Sequence, residues 1–165
     1  MPKVSDDHLA ARRQQILDAA ARCFARDGFH NTSVHDIVRE SGISAGLVYR
    51  YFTGKDDMIV AIVEDWHAKR ATQLDDTLNS YLDLLRRIAS PEAAQQRNLS
   101  MQAWAETIRN PRIRDLARKG VDDQLKAGRV LVAIYQGLLL QAAWDDDLDV
   151  EAFVESVREL VQRRA

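Results

Sequence analysis

Apolar residues in the first part of the chain recur at helical spacing, in short bursts separated by turn chemistry. Ile16, Ala20, Cys23 and Phe24 fall at i, i+4, i+7 and i+8, which predicts an amphipathic helix ending near Gly28. Asn31, Thr32 and Ser33 then offer a new N-cap. With Ser33 as the cap, Asp36 stands three residues on, where its carboxylate can accept the cap's N–H and start a short helix over about Val34 to Glu40. That helix stops at Ser41-Gly42-Ile43-Ser44, with Gly42 suited to the left-handed conformation, Ser44 suited to capping, and Ile43 placed to staple onto Val48. A third helix follows over about Ala45 to Tyr51. Thr53 pairs with Asp56 as the next cap, and Ile59, Ile62, Val63 and Trp66 stripe a long fourth helix that runs to about Leu74.

Beyond this point Leu78 to Ala89, Glu92 to Thr107 and Pro111 to Ala127 read as helices, the last with proline in its first turn. Val130, Leu131, Ile134, Tyr135, Leu138, Leu139 and Ala142 form a wide apolar stripe. Phe153, Val157, Leu160 and Val161 form another after the acidic turn Asp145-Asp146-Asp147, so two antiparallel helices close the chain. No alternating β-branched run interrupts the series, and an all-α fold is predicted.

Composition removes several function classes. The apolar stretch Val130 to Trp144 is too short and too polar to span a bilayer, and the N-terminus carries no signal-peptide core, so a soluble, cytoplasmic chain without a membrane partner is expected. Cys23 is the sole cysteine and falls on the core stripe of the first helix. His8, His30, His35 and His67 lack zinc spacing, and there is no phosphate loop or nucleophile elbow. Neither a metal, nor a cofactor, nor an enzymatic activity is expected. The net charge of -2 hides an asymmetry: 8 Lys and Arg against 6 Asp and Glu leave +2 up to Lys55, and the remainder carries -4.

Two short helices joined by a tight glycine turn, the second opening on the small residues Ala45 and Gly46, are what a DNA-reading helix-turn-helix requires. The string from Thr32 to Met58, TSVHDIVRESGISAGLVYRYFTGKDDM, resembles the DNA-binding signature of the tetracycline-repressor (TetR) family in spacing and residue type. The first helix, with Asp27-Gly28-Phe29 after it, resembles that family's opening. The resemblance implies a helix-turn-helix domain over residues 8–54, joined by the long helix to a helical effector-binding and dimerisation domain over 55–165. By position it implies phosphate contacts from Thr32 or Ser33, Tyr49, Tyr51 and Lys55, and base-edge contacts from Ser44, Ala45, Gly46, Leu47 and Arg50. Of these Arg50 alone can fork onto guanine O6 and N7. Where family members often carry Lys, this chain has Ala45.

One such motif reads few base pairs, so specific binding to double-stranded operator DNA calls for a two-fold dimer. The last two helices are the expected homodimer surface, with Gly137 and Ala142 allowing close approach, in the manner of the family's four-helix interface. The family's small, apolar effector would meet Trp66, His67, Arg70, Tyr81, Met101 and Trp104, with Arg109 nearby. The stretch Lys119 to Arg129 is much shorter and less apolar than the region the family places there. It keeps open an alternative: a constitutive DNA-binding protein of the same fold without an effector.

Overall fold

The computed structural model describes residues 6–73, 77–124 and 128–163, and the side chains of 7–69, 77–119 and 129–163 among them. In chain order the helices are α1 (Asp6–Asp27), α2 (Val34–Ser41), α3 (Ala45–Tyr51), α4 (Lys55–Gln73), α5 (Leu78–Ala89), α6 (Ala94–Glu106), α7 (Pro111–Gln124), α8 (Gly128–Gln141) and α9 (Val150–Gln162). A 3₁₀ turn, Pro91–Ala93, leads into α6. Among the described residues there is no strand, so the chain is all-α as expected, and no helix is long and apolar enough to cross a membrane. Two compact units, residues 1–65 and 66–165, meet inside α4.

In the first unit α1 packs against α2. Ile16, Ala20, Cys23 and Phe24 of α1, Ile37 of α2, Val48 of α3, and Met58 and Ile59 of α4 are fully buried, which is the face the apolar spacing had drawn. Phe24 meets Phe29 edge-on at 5.2 Å between ring centroids. The Gln15 amide donates to Ser41 O at 2.9 Å, and Glu40 accepts from Arg22 and Arg26 of α1, so the last turn of α2 is tied to α1. Burial, then the nearby Glu40 carboxylate, pushes the Cys23 thiol up, and it packs as a small hydrophobe.

In the second unit Tyr81, Leu82, Leu85 and Ile88 of α5 share a core with Tyr135, Leu138 and Leu139 of α8 and Val154 and Val157 of α9. Arg97 of α6 is 8 % exposed and donates from Nη1 to Ile88 O at 3.0 Å and Ser90 O at 2.5 Å. Ser90 O also accepts from Ala93 N at 3.1 Å, so Arg97 adds a second donor there and a donor to Ile88 O, and a cation at the end of α5 suits the helix dipole.

Candidate nucleic-acid interface

The corner before α2 is built by local chemistry. Gly28 adopts φ +88°, where a side chain would be strained. The Ser33 hydroxyl accepts from Asp36 N at 3.2 Å and donates to Asp36 Oδ2 at 2.5 Å, while Ser33 N donates to the same oxygen at 2.9 Å. This is the expected capping box. With Arg39 2.7 Å away, these bonds hold the Asp36 carboxyl below its ordinary range, the Ser33 hydroxyl contributing most. Gly42 then ends α2 at φ +66°, its N–H donating to Val38 O at 3.1 Å.

Two residues later Ser44 takes the cap position of α3, but the Ser44 side chain makes no capping bond, contrary to expectation. The Ser44 carbonyl instead accepts from Leu47 N and Val48 N, both at 3.0 Å. Val48 is buried against the head, which turns Ser44, Ala45, Gly46, Tyr49 and Arg50 outwards, with Leu47 half-buried at their edge. Tyr49 is 57 % exposed. All five residues assigned to base edges therefore lie on or beside one open face at the start of α3 and along its length.

The phosphate candidates divide. Tyr49 and Ser33 are exposed, although the Ser33 hydroxyl serves the capping box. Thr32 is 2 % exposed and its hydroxyl donates to Gly28 O at 2.8 Å, which makes it part of the corner rather than of the open face. Among the described residues the buried Tyr51 hydroxyl has no hydrogen-bond partner. Lys55 Nζ donates to Phe29 O at 2.8 Å, His30 O at 3.1 Å and Thr32 O at 3.2 Å. The partner of Thr53 is also corrected: its N–H donates to Asp57 Oδ2 at 3.2 Å, because Asp57, not Asp56, is one turn into α4.

The effector candidates stand in different settings. Tyr81 is buried in the α5, α8 and α9 core, and its hydroxyl donates to Leu131 O at 2.7 Å. Burial, then Tyr135, pushes that hydroxyl far above its ordinary value. Met101 packs at the rim of the same core, while Trp66, His67 and Trp104 are half-buried. The side chain of Arg70 lies outside the described residues. Arg109 pairs with the buried Glu106 at 3.6 Å. Arg97, which no local sequence signal marks, is buried with an Nε that has no hydrogen-bond partner among the described residues.

The wide stripe predicted along α8 as a dimer surface lies mostly in the intrachain core, with Leu131 and Ile134 packed against it and Val130 alone of its members exposed. Tyr135, Leu138 and Leu139 enter the intrachain core, whereas Val130, Ala133, Leu140 and Trp144 are exposed at spacings of three, seven and four residues, with Gly137 between them. On α9 the exposed residues Ala152, Ser156 and Leu160 form a matching row. Trp144 is 68 % and Leu160 59 % exposed.

Residues 16–62 match the profile of "Bacterial regulatory proteins, tetR family". The HTH-type transcriptional repressor Rv1474c of Mycobacterium tuberculosis is 46% identical over 65 residues, which cover 39% of this chain and 35% of that one. The HTH-type transcriptional repressor KstR2 of Mycolicibacterium smegmatis is 31% identical over 157 residues, covering 91% of this chain and 76% of that relative. Among solved structures, the multidrug binding protein EbrR, complexed with ethidium, is 25% identical with a TM-score of 0.66, covering 90% of this chain and 97% of that one. The two repressors are regulators of transcription, not enzymes.

Proposed function

From the premise that this chain belongs to the tetR family of bacterial regulatory proteins and is a DNA-binding regulator of transcription, we propose that it represses by holding a palindromic operator as a homodimer. The observation that carries this reading is the open face of α3: Ser44, Ala45, Gly46, Tyr49 and Arg50 point outwards from a helix whose other side is anchored by Val48. A face of small residues at the helix start lets the backbone approach base edges, and Arg50 supplies the fork for a guanine. Tyr49 is the best exposed phosphate ligand. The dimer is supported by the exposed apolar rows of α8 and α9, which a water-soluble protomer gains nothing by displaying and which match the knobs of a four-helix interface. Such a chain works in the cytoplasm.

The test is a matrix of single-base operator variants against Arg50→Ala. Loss of discrimination at one base pair per half-site, by about 1 to 3 kcal/mol, is expected. A uniform loss at every sequence would move Arg50 to the phosphates.

Release by a small, largely apolar ligand is the second part of the proposal, and it draws on the ethidium complex of EbrR. The rival reading, DNA binding without an effector, is favoured by Tyr81, whose hydroxyl is already committed to Leu131 O. A thermal-shift screen with apolar and cationic aromatic compounds separates the two. A ligand at 100 times its Kd adds about 2.7 kcal/mol of stability, whereas a screen without a hit, with DNA binding intact, favours the rival.

A further inference from the structure

We propose that Lys55 is a positioning residue of the DNA-reading head: it clamps the corner between α1 and α2 to the first turn of α4 and does not hold a phosphate. An ammonium has three N–H donors and no acceptor. The three carbonyls of Phe29, His30 and Thr32 lie 2.8, 3.1 and 3.2 Å from Nζ, so every donor is used inside the protein. The same ammonium stands 4.9 Å from the centre of the Phe29 ring, whose face attracts it.

The clamped segment is itself a closed corner: Thr32 N and the Thr32 hydroxyl both donate to Gly28 O, at 3.1 and 2.8 Å. Lysine is a poor choice for the first residue of a helix, where the dipole disfavours a cation. Three carbonyl dipoles offset that cost and give the position a reason. The corner leads directly into the Ser33 cap of α2, and α2 leads through Gly42 into α3. Fixing the corner against the start of α4 therefore fixes the direction in which α2 presents the reading helix. A phosphate would have to draw one of these N–H donors away from its carbonyl.

This inference rests on α3 being the reading helix. The experiment uses the full chain and a duplex enriched by the wild type from random-sequence DNA, with Lys55→Met and Lys55→Arg as variants. Two quantities are read: amide hydrogen exchange over residues 29–36, and the slope of log affinity against log salt concentration. In both variants the clamp predicts at least tenfold faster exchange at Thr32 and in the first turn of α2, at least tenfold weaker binding, and an unchanged salt slope. Lys55→Arg keeps the charge, but a flat guanidinium fork does not serve three convergent carbonyls. A phosphate contact predicts a slope smaller by about one in Lys55→Met, with arginine restoring affinity. Either that reduced slope or unchanged exchange in both variants overturns the proposal. Failure of the wild type to enrich any duplex would count against the DNA reading instead, and the exchange result would still judge the clamp.

Discussion

Among the described residues, Gly46 and Gly137 sit in helices where no neighbour excludes a Cβ, one in each compact unit. A Cβ built on Gly46 meets nothing within 4 Å, and one on Gly137 meets only the Gln141 amide nitrogen, at 4.0 Å. Glycine in a helix interior costs about 1 kcal/mol relative to alanine, so each position is less stable than it need be. Their neighbours differ. Gly46 lies among Ser44, Tyr49 and Arg50, whereas Gly137 lies between Val130, Ala133, Leu140 and Trp144. The contrast teaches that one face is kept bare for a polar, charged surface and the other for an apolar one. DNA and a second copy of the chain are the partners that suit them.

The strongest way to break this division is to remove the core under one face. Phe24 is fully buried, and Phe24→Ala should cost about 3 to 5 kcal/mol and abolish DNA binding. Sedimentation should still find the oligomer of the wild type, and loss of assembly would mean that the two tasks are not separable. In the other unit Arg97→Met removes the buried donor to Ile88 O and the second donor to Ser90 O, an expected loss of about 1 to 3 kcal/mol in thermal unfolding. Its preference among operator variants should be unchanged.

The glycines themselves sharpen the comparison. Gly46→Ala and Gly137→Ala should each stabilise the protomer by up to about 1 kcal/mol. Gly46→Ala should weaken DNA binding alone, and Gly137→Ala should weaken self-association alone. An effect on both properties from either variant would dissolve the distinction. The smallest effect concerns pH. The Asp36 carboxyl is held low by its bonds to Ser33, so its contribution is present above the unfolded value of about 3.9 and is lost as pH falls through the lower folded value. Asp36→Asn should flatten that acidic limb of the stability curve, as followed by circular dichroism.

The head was legible because its boundaries are written in local chemistry. Gly28, Ser33 with Asp36, and Gly42 each act within three or four residues, and the structure has α2 and α3 starting where those signals put them. What escaped was long-range. Lys55 was recognised as a cation, but its acceptors lie 23 to 26 residues earlier in the chain, and nothing local says that its donors are spent. Arg97 was passed over because the end of α5 needs a donor seven to nine residues away. On α8 the expected dimer stripe fell on Tyr135, Leu138 and Leu139, which the intrachain core takes, and left out the outward Ala133 and Leu140. Only packing separates them.

The central claim is that two copies of this chain present two α3 helices to one duplex. Sites selected by the full-length protein from random-sequence DNA, sequenced and then weighed in complex by native mass spectrometry, test it in one measurement. The account predicts a palindrome with half-sites about 34 Å apart, or a multiple of that, carrying two chains or a multiple of two. A non-palindromic site carrying a single chain would contradict it.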